Sequence, residues 1–163
     1  MLGQYRGYGD MARNKAEVYL HFVWATLDKH PLITPAIERR LYRYIISICE
    51  RRQCLVLAIG GTENHVHLAV TLPTTLTIAD LMQEVKGGSS YFVRETLTPG
   101  EFFAWRHGYG VFSFSRSQFK RVTSYIRNQK EHHRQETLWP AVEALDFDET
   151  ASVDDSPDRP QAT

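Results

Sequence analysis

Apolar positions alternate from Glu17 to Thr26, with Val18, Leu20, Phe22 and Trp24 on one side and Tyr19, His21, Val23 and Ala25 on the other. That period of two predicts a β-strand buried on one face and largely apolar on the second. Beyond His30-Pro31 the period lengthens. Ile37, Leu41, Tyr44, Ile45 and Ile48 form one stripe at helical spacing, with Thr34 as N-cap and Pro35 at the first helical position, so a helix is expected to about Arg52. Cys54 to Ile59 and His65 to Leu72 are two more apolar segments, joined by Gly60-Gly61-Thr62-Glu63-Asn64, which is a hairpin signal. Thr77 to about Leu97 reads as helical through Ile78, Leu81, Met82, Val85, Tyr91 and Phe92, interrupted by Gly87-Gly88. Each glycine costs about 1 kcal/mol in a helix interior relative to Ala, so the pair predicts a bend or a close approach to the backbone. Val111 to Ser115 is a last strand, preceded at Glu101 to Trp105 by a loop or short pairing partner. Ser117 then caps a basic helix expected to run as one piece to about Glu136.

Strand, helix, strand, strand, helix, strand, then an extra helix is the order of an α+β fold. It predicts a ferredoxin-like or RRM-like antiparallel β-sheet with helices on one face, plus a C-terminal tyrosine-bearing helix. Many functions share that architecture, so chemistry must be read from particular residues.

The chain has 163 residues with 19 Lys+Arg against 19 Asp+Glu, a formal net charge of zero. Taken whole, that balance argues against a polyanionic partner; taken by segment, it does not. Residues 1–140 carry 18 basic and 12 acidic side chains, and residues 141–163 carry 1 and 7, so a body of +6 is cancelled by a tail of −6. From Arg116 to Arg134 six cations face a single Glu131 on the expected helix. Such a run is either a solvated face or a phosphate-binding one. The tail loses apolar periodicity after about Phe147 and is expected to be disordered or loosely attached, serving solubility or mimicking a polyanion over the basic surface. Residues 1–15, polar and rich in Gly and Tyr, are expected to form a mobile arm. No apolar run reaches the roughly 18 residues of a membrane span and no signal-peptide pattern opens the chain, so a cytoplasmic protein without a membrane partner is expected. Cys49 and Cys54 fit neither a disulfide framework nor a metal pattern and read as reduced and structural.

In the strand His65-Val66-His67-Leu68-Ala69-Val70 the two histidines share a face. They are either polar residues on a wetter face or two imidazoles able to converge on one divalent ion, if another element adds ligands. The basic helix offers such a group: Tyr125 and Gln129 are four apart, and Val122 and Ile126 place that face beside the core. A glutamine carbonyl is a hard, weak donor, and with two histidines it suits Mg²⁺ or Mn²⁺ better than a structural Zn²⁺. Tyr125 is either an ordinary aromatic of an amphipathic helix or a nucleophile one turn from that metal. A phenol with a reference pKa of about 10 attacks poorly until deprotonated. Its use makes sense against a metal-polarised phosphodiester, because a phosphotyrosine keeps the bond energy for reversal without ATP, and no P-loop is present.

Asn64-His65-Val66-His67-Leu68-Ala69-Val70, Lys86-Gly87-Gly88-Ser89-Ser90, Trp105 to Ser115 and Val122-Thr123-Ser124-Tyr125-Ile126-Arg127-Asn128-Gln129, in that order, resemble the single-tyrosine HUH transposases of the insertion sequence 200/605 family. The resemblance covers about Val18 to His133. It implies a metal-dependent single-stranded DNA endonuclease and strand transferase, with residues 16–140 as the catalytic domain and 141–163 as a tail outside it. By residue it implies His65, His67 and Gln129 as ligands of Mg²⁺ or Mn²⁺ and Tyr125 as the nucleophile forming a 5′-phosphotyrosine. Lys86, Gly87, Gly88 and Ser89 would contact DNA near the cleavage site, joined by the basic residues Arg116, Lys120, Arg121 and Arg127. It further implies an obligate homodimer whose tyrosine helix can complete the partner's site, acting on single-stranded DNA with hairpin ends. His132 and His133 receive no role. Two alternatives stand beside a mobile transposase: a host-domesticated nicking enzyme acting on repeated hairpins, and a non-catalytic RRM-like module that binds single strands through Tyr19, Trp105 and Tyr109.

Overall fold

A computed structural model of the chain describes residues 15–143. The N-terminal arm proposed for residues 1–15 therefore lies almost wholly outside the described residues, as does the acidic segment 144–163. Four strands, β1 (Tyr19–Ala25), β2 (Val56–Gly61), β3 (His65–Thr71) and β4 (Gly110–Phe114), form one antiparallel sheet in the order β2-β3-β1-β4. This is the βαββαβ arrangement expected from the hydrophobic pattern.

Alternation along the strands divides the sheet into two unlike faces. Leu20, Phe22 and Trp24 of β1 and Val66, Leu68 and Val70 of β3 point to the first face, where α1 (Pro35–Arg51) and α2 (Ile78–Phe92) cover them with Ile37, Leu41, Ile45, Ile48, Leu81, Met82 and Val85. This is the main core, and its burial supplies most of the drive to fold. α1 starts at Pro35 as expected, although the Thr34 side chain makes no capping bond. α2 is capped by Thr77, whose hydroxyl accepts from the Asp80 N–H at 3.0 Å.

The glycine pair does not bend α2. The helix runs through Gly87-Gly88 to Phe92 and then widens into a π-helical turn at Val93–Leu97. A side chain at Gly88 would meet Ile48 Cδ1 at 3.2 Å, so this glycine lets α1 and α2 approach closely, whereas Gly87 faces open space. Trp105 forms an isolated antiparallel bridge to Thr26, the short pairing partner expected before β4.

The second face is covered by α3 (Phe119–Arg127), which packs Val122 and Ile126 against Ala58 and Ala69. Small residues there let the helix backbone lie almost on the sheet: a Cβ built on Gly60 would sit 2.1 Å from the carbonyl oxygen of Ile126. The basic helix is not one piece. It opens with a 3₁₀ turn at Arg116–Gln118, where the Gln118 side chain accepts from the Ser115 N–H at 3.0 Å, so Ser115 takes the cap position expected of Ser117. It breaks again at Asn128, whose φ of −104° and ψ of 22° separate α3 from α4 (Gln129–Arg134). The Asn128 side chain stabilises the break by donating to the Ser124 carbonyl at 2.9 Å. A single turn, α5 (Pro140–Glu143), ends the described chain.

Candidate metal and tyrosine site

His65 and His67 stand on the α3 face of β3, the central strand pairing with both β1 and β2, where hydrogen-bonded neighbours on each side fix the backbone. Both are buried, at 3% and 0% exposure. The Asn128 break does not remove Gln129 from this face: α4 begins there and brings its Oε1 to 3.3 Å from His65 Nε2. Tyr125 on α3 lies edge-on to His67, with ring centroids 6.1 Å apart. The four residues singled out by spacing are thus brought together, all from one chain.

The protonation pattern can be traced atom by atom. His65 Nδ1 lies 2.8 Å from Asn64 Oδ1 and 2.9 Å from Thr62 Oγ1, and an amide oxygen can only accept. Ligation through Nε2 requires the tautomer with the proton on Nδ1, which these two oxygens accept, and Nε2 then faces Gln129 Oε1. Burial, aided by neighbouring His67, pulls the His65 pKa down to about 4, so the ring is neutral at neutral pH. The Gln129 amide nitrogen is already used, donating to Glu143 Oε1 at 3.2 Å, which confirms that its oxygen faces the histidine.

Glu143 was assigned from sequence to a loosely attached tail outside the catalytic domain, and the structure corrects that. α5 carries its carboxylate into the cluster, 3.4 Å from His67 Nε2 and 3.9 Å from His65 Nε2, and Oε1 accepts a short hydrogen bond from the Tyr125 hydroxyl. Burial works to raise the Glu143 pKa, but His67 and the tyrosine hydroxyl outweigh it and hold the carboxyl at about 2. Tyr125 moves the other way: burial, reinforced by the hydrogen bond to Glu143, pushes its phenol up to about 12. The Trp139 backbone N–H donates to the same oxygen at 3.0 Å.

These residues fit a divalent cation. Ligand atoms of His65, His67 and Glu143 all lie within 4.8 Å of one another. His67 Nε2 is buried and makes no hydrogen bond, and His65 Nε2 and Gln129 Oε1 lie 3.3 Å apart. Acceptors converging in this way are unfavourable unless a positive charge sits among them. Two imidazoles, an amide oxygen and a carboxylate make a mixed set of borderline and hard donors able to hold a divalent cation.

Three histidines join the site that sequence reading left without a role. His21 of β1 bonds His67 Nδ1 through its Nε2 at 2.8 Å, both rings being buried. His21 lies diagonal to His67, which pairs with Val23 in the β1–β3 register, so its place on the second face was readable from alternation, though its partner was not. His133 packs against the His65 ring at 4.7 Å, and His132 against the Tyr125 ring at 4.7 Å. Nothing in the sequence marked Glu143, one of seven acids in a run.

The residues expected at a DNA interface divide in two. Arg116, Lys120, Arg121 and Arg127 lie on the segment covering the site's face; Arg116 pairs with Glu17 at 3.5 Å, Arg127 donates to the Leu57 carbonyl at 2.9 Å, and Arg121 lies over the Trp139 ring at 4.3 Å. Lys86, Gly87, Gly88 and Ser89 sit on α2, against the opposite face of the sheet. There the Lys86 ammonium donates to the carbonyls of Arg106 at 2.8 Å and Gly108 at 2.6 Å, and buried Ser89 accepts from the Trp105 indole at 3.0 Å. These α2 residues hold the loop before β4 and the helix packing, and the fold does not bring them to the tyrosine.

Two solved structures share this fold. One is a candidate transposase from Deinococcus radiodurans R1, 20% identical, with a TM-score of 0.59 over 77% of this chain and 98% of that one. The other is a REP-associated tyrosine transposase bound to a REP hairpin, 15% identical, with a TM-score of 0.57 over 85% of this chain and 81% of that one. No curated protein matches the chain significantly. Residues 14–129 match the family described as "Transposase IS200 like", and the chain belongs to that family. Among the described residues, no helix is long and apolar enough to cross a membrane.

Proposed function

We propose that this protein is a metal-dependent single-stranded DNA endonuclease and strand transferase in which Tyr125 is the nucleophile. The observation that carries the reading is the convergence of Tyr125 with His65, His67, Gln129 and Glu143 in one cluster. His65, His67 and Gln129, joined by Glu143, would hold Mg²⁺ or Mn²⁺, which when bound polarises a scissile phosphodiester. The Tyr125 oxygen attacks phosphorus as its proton leaves, the P–O3′ bond breaks, and a 5′-phosphotyrosine and a free 3′-hydroxyl result. Attack by a 3′-hydroxyl reverses the step and joins strands without ATP. In the resting state the phenol keeps its proton and donates it in a hydrogen bond to the Glu143 carboxylate, which takes the proton on attack and returns it to the departing 3′-oxygen.

The cation-rich α3 segment supports a polyanionic substrate, and the hairpin held by the REP-associated relative supports hairpin-forming DNA. Whether such hairpins border the gene or are scattered through a genome separates a mobile element from a domesticated nicking enzyme. Single-stranded oligonucleotides tiling the DNA that flanks the gene, incubated with Mn²⁺ or Mg²⁺, are expected to give a covalent protein–DNA adduct on a denaturing gel. Tyr125→Phe is expected to abolish it while leaving DNA binding within about threefold. An adduct only with hairpin-bearing oligonucleotides from elsewhere in the genome would favour the domesticated enzyme, and none with either set under any ion would leave the non-catalytic binding module.

A further inference from the structure

Beside the Tyr125 ring opens a cavity of about 420 Å³ whose walls include Arg121, Tyr125, His132, Thr137, Leu138 and Trp139. Three properties set it apart from an ordinary surface recess. Its walls are flat and aromatic: the Trp139 indole meets the Tyr125 ring edge-on at 5.8 Å, and the His132 ring lies at 4.7 Å from the same tyrosine. Its charge is of one sign among the described residues, since Arg121 lines it and none of their carboxylates does. It is also held in shape, because the Trp139 N–H is tied to the tyrosine hydroxyl at 3.0 Å, His132 Nδ1 pairs with Thr137 Oγ1 at 3.0 Å, and the Arg121 guanidinium covers one face of the indole at 4.3 Å. A larger recess lined by Arg39, Arg127 and Lys130 lacks this character, for Glu38 and Glu131 also line it.

We infer that this cavity binds the nucleobase next to the scissile phosphate, stacked against Trp139 and flanked by the Arg121 cation. The inference rests on Tyr125 as the nucleophile and adds what positions the strand on it. Planar walls suit a base because every base has a π-face, and stacking of this kind tolerates sequence. Arg121 adds a cation for the base face or the adjoining phosphate. A phosphodiester brought to the Tyr125 oxygen has its flanking nucleotide beside the tyrosine ring, where the cavity lies. The strand is thereby fixed in register by its base while the phosphate meets the nucleophile.

The test is equilibrium binding in EDTA, where no cleavage occurs, using fluorescein-labelled dT12 and an abasic deoxyribose-phosphate strand of the same length. Wild type is expected to bind dT12 at least tenfold more tightly than the abasic strand. Trp139→Phe is expected to keep that ratio within about threefold, and Trp139→Ala to bring it near one while abasic binding is unchanged. Because the ratio is taken within each protein, a general loss of folding lowers both affinities and leaves it intact. A wild-type ratio near one, or a Trp139→Ala ratio equal to that of wild type, overturns the base pocket. Adduct formation through Tyr125 is measured separately with metal present, so failure of the pocket and failure of the nucleophile give different results.

Discussion

At the scale of single residues, the metal-binding capacity of His67 depends on which of its nitrogens carries the proton. Ligation through Nε2 requires the tautomer in which Nδ1–H donates to His21 Nε2 across the 2.8 Å between them, with Nε2 facing Glu143. Burial, with neighbouring His67 adding to it, pulls the His21 pKa down to about 3, so His21 stays neutral and able to accept. Partners behind a ligating histidine typically change metal affinity by about 10–100-fold when removed. His21→Leu is therefore expected to weaken Mn²⁺ binding by about tenfold or more in calorimetry without DNA, while His21→Gln, which keeps an acceptor, is expected to stay within about threefold. Equal losses from both substitutions, with unchanged thermal midpoints, would show that shape at position 21 matters and the hydrogen bond does not.

At the scale of elements, the site depends on how closely α3 lies on β2. Gly60 makes that possible, since its Cβ would occupy the space of the Ile126 carbonyl, and backbone cannot rotate away as a side chain can. Gly60→Ala is expected to cost about 1–3 kcal/mol in urea denaturation and to lower Mn²⁺ affinity as well, because α3 leads directly into Gln129. Gly87→Ala is the contrasting case: it sits in a helix interior with nothing within 4 Å. There the substitution is expected to stabilise by up to about 1 kcal/mol and leave metal binding unchanged. Destabilisation at Gly87 would mean that the residue has a partner outside this chain.

At the scale of the whole molecule, every member of the cluster belongs to the same chain: His65 and His67 from β3, Tyr125 from α3, Gln129 from α4 and Glu143 from α5. The family resemblance implies an obligate homodimer whose tyrosine helix can complete the partner's site, and the same residues also meet within one chain. Mixing Tyr125→Phe with His65→Ala protein discriminates between the two. With the site assembled within each chain, the mixture is expected to form no adduct above that of either variant alone. Recovery toward about a quarter of the wild-type level, one working site in each heterodimer of an equal mixture, would establish exchange between chains.

The sequence by itself determined most of the elements and which side chains share a face, because both rest on local periodicity. A period of two puts His65 and His67 on one face of a strand, a period of 3.6 puts Tyr125 beside Val122 and Ile126, and these patterns hold whatever packs around them. Tertiary structure decided what depends on approach between distant segments. It gave Lys86 to the loop before β4, and of the bend or close approach expected at the glycine pair it chose the approach, with α2 continuing through and Gly88 meeting α1. It placed His21 behind His67 across the register of two strands, and it folded Glu143 back from an acidic run onto the histidines. No local pattern marks such contacts. A buried acceptor is recognisable as part of a site only when the other acceptors around it are known, and here they come from five separate elements.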